Sequence, residues 1–111
     1  MDVHIVTSGD QLLRVMSALA NPHRLRILAA LSLERNYVSQ LARDMAMSRP
    51  LLHMHLQRLE AAGLIRGVLE LSDSGKAMKY FEVAPFVLEL TPEAIARLVP
   101  SLTEDTEKAA K

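Results

Sequence analysis

The 111-residue chain is expected to fold as a mainly α domain with a small β-hairpin, in the winged helix-turn-helix arrangement. Three observations predict it. Four stretches with helical apolar spacing come first, and a very short turn separates the third from the fourth. A two-strand pattern centred on Ser72-Asp73-Ser74-Gly75 follows at once. Thr91-Pro92-Glu93 then opens a last short helix. Two helices on a tight turn, followed directly by a hairpin, is the layout of a helix-turn-helix with a wing.

Each element has its own signal. Residues 8–20 carry Leu12, Val15, Met16 and Leu19 at helical spacing, with Ser8 or Asp10 as cap. Asn21-Pro22 restarts the chain, asparagine as N-cap and proline at the first helical position. That helix runs to about Leu33, with Leu25, Leu28, Ala29 and Ile27 as inward candidates. Tyr37-Val38 reads as extended, and Ser39 as the N-cap of a brief helix through Met45 with Leu41 and Ala42 inward. After the turn at Ala46-Met47, Ser48 opens a helix that ends at Gly63, a natural left-handed terminator. Pro50 disfavours helical geometry at Arg49, which makes Arg49 an alternative cap. Leu64–Leu71 and Lys76–Ala84 are the strands, with Ile65, Leu69 and Leu71 sharing one face. Residues 85–90 are extended, and Ile95, Leu98 and Val99 face inward from the last helix before Pro100 stops it. The expected organisation is an N-terminal arm at 1–7, a winged helix domain at 8–90, a C-terminal helix at 91–102 and a polar tail at 103–111.

Composition narrows the function. Half the residues are hydrophobic, which suits one packed domain. The chain has no cysteine, which excludes disulfides, thiolate metal sites and cysteine nucleophiles. No basic, apolar leader opens it, and no apolar run approaches the ~20 residues of a membrane helix. A cytoplasmic protein without membrane contact is expected. Net charge is zero, yet it is unevenly spread. Residues 1–80 hold 10 Lys/Arg and 7 Asp/Glu, whereas residues 81–111 hold 3 and 6. The basic excess lies in the part that carries the helix-turn-helix.

The informative segment is 39–65. With Leu52 at the centre of the buried face, Leu56 and Leu59 fall within about 40° of it. The opposite side holds Pro50, His53, Met54, Gln57 and Ala61, with Arg49 and Arg58 on the flanks. Such a narrow face with few charges suits a helix in the major groove, where side chains meet base edges. Flanking arginines suit phosphates. Gln57 matches adenine, and Arg49 matches guanine or phosphate. The turn Ser74 with Lys76 and Lys79 forms a wing for the backbone or the minor groove. The candidate contacts to double-stranded DNA are therefore Ser48, Arg49, Pro50, His53, Met54, Gln57, Arg58, Ser74, Lys76 and Lys79.

Over residues 12–83 the chain resembles the ArsR/SmtB-type winged helix repressors. Leu19-Ala20-Asn21-Pro22-His23-Arg24-Leu25-Arg26-Ile27-Leu28 resembles their opening motif. Leu52-His53-Met54-His55-Leu56, Leu59 and Ala62-Gly63-Leu64-Ile65 resemble their recognition helix and its exit. Lys79-Tyr80-Phe81 sits where the second wing strand carries aromatics. The resemblance implies a transcriptional regulator, a repressor, acting as a homodimer paired through its first and last helices and released by an effector. Leu12, Met16, Ile95 and Leu98 are expected to pack together, within a chain or across a two-fold axis; the resemblance favours the second, with two recognition helices about one DNA turn apart. Two departures stand out. The family's Cys-x-Cys metal motif is replaced by Tyr37-Val38-Ser39-Gln40-Leu41. Residues 91–111 hold no histidine for the alternative metal site. No metal or cofactor is therefore expected, and the effector is left unassigned.

Plainer readings compete for single residues. His53 and His55 diverge by about 200° on a helix, so one ion does not suit both. His55 reads as half-buried and structural, His53 as outward toward DNA or solvent. His4 and His23 read as structural or solvated. Met16, Met45, Met47 and Met78 read as core filler. Arg24 and Arg26 read as a solvated face, with phosphate approach as the alternative. At the level of the whole chain, a winged helix protein-interaction module is the alternative to DNA binding, and the neutral charge supports it. An enzyme is not expected, since no phosphate loop or His/carboxylate cluster is present.

Overall fold

The computed structural model describes residues 4–103. The elements are β1 (His4–Ile5), α1 (Gly9–Leu19), α2 (Pro22–Leu33), β2 (Asn36–Tyr37), α3 (Val38–Met45), α4 (Arg49–Ala61), β3 (Ile65–Leu71), β4 (Ala77–Val83), β5 (Phe86–Val87) and α5 (Pro92–Leu98). A 3-10 turn at Val99–Ser101 closes α5. The expected mainly α architecture with a wing is the one observed. The polar tail beyond residue 103 lies outside the described residues.

Side-chain caps fix the helix starts. Ser8 Oγ accepts from Gln11 N at 3.1 Å. Asn21 Oδ1 accepts from His23 N and Arg24 N at 2.9 and 3.3 Å. Thr91 Oγ1 accepts from Ala94 N at 3.0 Å. Each satisfies amide donors that have no partner inside the helix. The start of α1 is also tied to the far end of the chain. Gly9 N donates to Ser101 Oγ at 2.8 Å. A Cβ on Gly9 would stand 2.7 Å from Leu102 and 2.8 Å from the Leu98 carbonyl, so only glycine lets these segments meet.

The core joins Val15 of α1, Ile27 and Leu31 of α2, and Leu41 of α3 to Leu52, Leu56 and Leu59 of α4. Leu64, Ile65 and Phe81 close it from the hairpin. In α2 the inward residues are Ile27 and Leu31, whereas Leu25 is 53% exposed and Ala29 is exposed. The sequence Leu25 to Leu31 is apolar on nearly every face, so periodicity sets no direction. Packing against α1, α3, α4 and β4 selects it.

One cap differs from expectation, and a second is decided between two candidates. α3 begins at Val38 with Tyr37 at the N-cap and no side-chain cap bond, so Ser39 lies inside the helix. Tyr37 is drawn into β2 by pairing with Tyr80 of β4, and the cap falls two residues earlier than expected. In α4 the cap is Ser48, not Arg49. Ser48 Oγ accepts from Leu51 N at 3.3 Å, and its carbonyl accepts from Leu52 N at 3.0 Å. These bonds close the first turn and bring Arg49 into the helix ahead of Pro50.

The wing is a three-stranded antiparallel sheet in the order β2-β4-β3. Its register sets Leu69 opposite Lys79 and Leu71 opposite Ala77. Ile65 is buried, but Leu69 and Leu71 are 70% and 74% exposed. The blade extends past the core, so the shared face is apolar at its root and solvent-facing at its tip. Unforeseen from sequence is a parallel pairing of β1 with β5, His4 opposite Phe86 and Ile5 opposite Val87.

The α3–α4 turn carries the one non-glycine residue with positive φ among the described residues, Ala46 at φ 54°. Its amide bonds back to Arg43 O at 3.1 Å, terminating α3. An L-residue pays ~1–2 kcal/mol there, and glycine would remove that strain at a smaller entropic cost. Ala46→Gly is expected to raise stability by about 0.5–1 kcal/mol, read as a higher urea midpoint with unchanged slope.

Candidate nucleic-acid interface

α4 is held from behind and bare in front. Leu52, His55, Leu56 and Leu59 are its buried residues. Ser48, Arg49, Pro50, His53, Met54, Gln57 and Arg58 are all exposed. The residues expected to meet bases are thus covered by no other part of the described chain.

A shallow cleft separates the first half of α4 from the wing. It is lined by Arg49 and His53 of α4, by Lys76, Ala77, Met78 and Lys79 of the wing, and by Tyr37, Val38 and Ser39. Four of the ten sequence-derived contact residues therefore share one concavity. Ser74 sits beyond it at the hairpin tip, where its hydroxyl bonds to Ser72 Oγ at 3.0 Å. Arg58 is set apart. It lines a second cleft with Arg14, Ser17, Ala18 and Ala61, between α1 and α4.

Lys79 is seated by its neighbours. A Cβ on Gly67 would come within 2.5 Å of Lys79 Cε. The bare glycine lets Lys79 lie across the strand, its ammonium 5.2 Å from the Phe81 ring centroid. Behind the cleft, Tyr37 and Tyr80 join through their hydroxyls at 2.5 Å. The Arg35 guanidinium covers the Tyr80 ring at 4.3 Å and pairs with Glu70 at 2.8 Å.

Charge is sorted across the surface. The ion pairs among the described residues are Arg35–Glu70, Arg66–Glu82 and Arg97–Glu89. None involves Arg49, Arg58, Lys76 or Lys79. A chain of zero net charge thus leaves Arg49, Lys76 and Lys79 without ion-pair partners among the described residues where α4 and the wing converge. Sequence reasoning missed two residues here. Ser39 was assigned to a cap, and Arg43 was not considered. With Ser48 and Arg49, both line a third depression at the α3–α4 turn. The signal for Arg43 was its place on the polar face of the helix before α4.

On the opposite side, α1 and α5 form an almost wholly apolar groove lined by Leu12, Leu13, Met16, Ile95, Leu98 and Val99. Leu12 is 7% exposed and forms its floor, while Leu13, Met16, Ile95 and Val99 stand exposed at the rim. Ala94, not Ile95 or Val99, is the buried residue of α5. No group of three or more His, Cys, Asp or Glu able to hold a metal occurs among the described residues. No helix among them is long and apolar enough to cross a membrane.

His55 is the polar member of the buried stripe, 3% exposed. Arg24 Nη1 meets its Nδ1 at 3.1 Å. A guanidinium only donates, so Nδ1 accepts and neutral His55 carries its proton on Nε2. Neither arginine nor histidine fits the sequence expectation. Arg24 turns inward rather than lying on a solvated face, and His55 is fully rather than half buried. Burial holds the His55 pKa below its ordinary 6.5, and the nearby Arg24 and His23 add to the effect.

Comparison with known proteins places this geometry. Residues 21–66 match the model of the bacterial regulatory protein arsR family. An HTH-type transcriptional regulator of Methanocaldococcus jannaschii is 33% identical over 81 residues, spanning 73% of this chain and 84% of that protein. The homodimeric winged helix-turn-helix DNA-binding domain Mb0332 of Mycobacterium bovis, a possible ArsR-family transcriptional regulator, superposes with a TM-score of 0.61. It is 29% identical, over 91% of this chain and 79% of that one. NolR from Sinorhizobium fredii superposes with a TM-score of 0.57 at 26% identity, over 87% of this chain and 85% of that one.

The lowered His55 pKa gives stability a pH dependence of known sign. Below the ordinary value of 6.5 the unfolded chain takes up a proton that the folded chain resists. The stabilisation is therefore complete above that value and declines as pH falls toward the folded value. Urea unfolding at a series of pH values is expected to show this loss in the wild type, and a smaller one in His55→Asn.

Proposed function

The chain belongs to the arsR family of DNA-binding transcriptional regulators with a winged helix-turn-helix fold, and on that premise we propose that it is a homodimeric repressor of a near-palindromic operator. The observation that carries this reading is the shared cleft: Arg49 and His53 of α4 open onto the same space as Lys76 and Lys79 of the wing, and none of the four pairs with a carboxylate among the described residues. A duplex laid against that face receives α4 in its major groove and the wing on its backbone or minor groove.

Individual roles follow from side-chain chemistry. Gln57 offers a bidentate match to adenine, and Arg49 to guanine or a phosphate. Met54 offers only an apolar contact, suited to a thymine methyl. Pro50 stiffens the first turn, and Ser48 and His53 lie within reach of the sugar-phosphate edge. Ser74, Lys76 and Lys79 serve the wing. Arg58, beside Arg14, serves a phosphate on the far side of the groove.

The apolar groove supports the dimer. Met16 and Ile95 are 40% exposed each on a face with almost no polar atoms. Packing against the same groove of a second copy, with Leu12 and Leu98 beneath, buries both in an isologous contact. Residues 8–90 then serve as the DNA-binding module and 91–102 as the dimerisation helix. The homodimeric state of the Mycobacterium bovis domain points the same way. A regulator bound to DNA in the cytoplasm fits these parts.

Titration of duplex DNA at several salt concentrations tests the reading, since affinity must fall steeply with salt. Arg49→Ala and Gln57→Ala are expected to lose about 1–3 kcal/mol of discrimination between sites. Lys76→Ala is expected to weaken binding to all sequences alike and to reduce the salt slope by about 1. Unchanged binding by all three overturns the DNA face. Ile95→Glu is expected to sediment as a monomer, and a dimer of unchanged affinity overturns the interface.

A further inference from the structure

Arg24 has no part in the function just proposed, yet from α2 it bonds to two other helices at once. From the start of α2 its Nε donates to the Ala18 carbonyl at 2.6 Å, and its Nη2 donates to the Ser17 carbonyl at 3.3 Å. Both carbonyls belong to the last turn of α1, where no intrahelical donor reaches them. A cation there also faces the negative end of the helix. The third arm, Nη1, meets His55 Nδ1 on α4 at 3.1 Å.

The remaining support behind α4 comes from Leu52, Leu56 and Leu59. Apolar burial holds a helix down but is non-directional. It does not by itself fix how far the helix is rotated about its axis. A planar guanidinium bonded to fixed carbonyls is directional. His55 lies between Met54 and Leu56 in sequence, so the angle at which it is gripped sets where His53, Met54 and Gln57 point.

We propose that Arg24 is a positioning residue for DNA binding, joining the end of α1 to His55 and so fixing the rotation at which α4 presents its outer face. The inference rests on the DNA reading above. It requires neutral His55, because only an unprotonated Nδ1 accepts. Protonation would turn that atom into a donor and set a second cation against the guanidinium. The groups around the ring oppose this. Arg24 and His23 face it from α2, with the His23 ring centroid 5.6 Å away. Arg14 of α1 and Arg58 of α4 line the adjoining cleft. No carboxylate among the described residues bonds to His55, and its Nε2 has no hydrogen-bond partner among them.

The experiment uses the full chain and a labelled duplex recovered from a random pool by the wild-type protein. Affinity is measured across salt and pH for the wild type, Arg24→Lys and His55→Asn, with circular dichroism checking each fold. Arg24→Lys keeps the charge but loses the fork, and is expected to bind about tenfold more weakly. Its salt slope is expected to stay unchanged, since Arg24 meets no phosphate. Asparagine keeps an acceptor near the place of Nδ1 and does not titrate. Wild-type affinity is therefore expected to fall, relative to His55→Asn, as pH drops below the ordinary histidine range. His53 is present in both proteins, so its contribution cancels in the comparison. A folded Arg24→Lys with wild-type affinity overturns the inference, as does a reduced salt slope, which would make Arg24 a phosphate contact. A His55→Asn profile identical to the wild type overturns it too, and decides alone if Arg24→Lys does not fold. Failure of the wild type to recover any duplex removes the DNA reading and this inference together. Recovery with no difference among variants removes only the inference.

Discussion

A helix that reads DNA must be anchored along one stripe and left bare everywhere else, and this structure is organised around meeting that condition for α4. Leu52, Leu56 and Leu59 are among the most deeply buried side chains in the chain. Each contributes roughly 1.5–3 kcal/mol of apolar burial. Against a total stability of about 5–15 kcal/mol for a domain of this kind, that stripe is a large share. The cost is an outer face with no internal support. It leaves Leu51 and Met54 exposed side by side.

The same condition explains how a neutral protein serves an anionic partner. Coulomb attraction to a duplex depends on local charge within about a Debye length, roughly 8–10 Å. The ion pairs of the described residues involve Arg35, β3, β4 and α5 and use none of the cations that line the cleft. Arg49, Lys76 and Lys79 keep their charge. Gly67 contributes indirectly, since its missing side chain is what allows Lys79 to lie against Phe81. The sum over the chain is therefore a poor guide, and the distribution is the informative quantity.

Local chemistry was open to sequence reasoning, and long-range choice was not. Ser8, Asn21, Ser48 and Thr91 cap helices because a short polar side chain reaches an amide two or three residues on, a purely local event. Gly75 at φ 83° marks its turn for an equally local reason. The leucine stripe of α4 and the exposure of His53, Met54 and Gln57 followed from spacing alone. Ser39 misled because β2 pairs with β4 across more than 40 residues and claims Tyr37. The inward face of α2 was hidden by a sequence apolar on all sides. Arg24 was hidden for a different reason. Its three acceptors lie on α1 and α4, and nothing about an arginine near a helix start announces that it turns inward.

These contacts give α1 a place between the two working surfaces. Its first residue is fixed to the 3-10 turn after α5 through Gly9 and Ser101, and one flank lines the apolar groove. Its last turn is bonded to Arg24, which grips α4. A helix of 11 residues is about 16 Å long and stiff on that scale. In the proposed dimer, two copies of α4 must meet half-sites about 34 Å apart, so small tilts of α1 at the two-fold axis become shifts of the reading helices. An apolar groove alone would transmit such tilts loosely, because side chains in it can slide. With directional bonds at both ends of α1, the spacing between the two reading faces becomes a property of one short helix and its attachments.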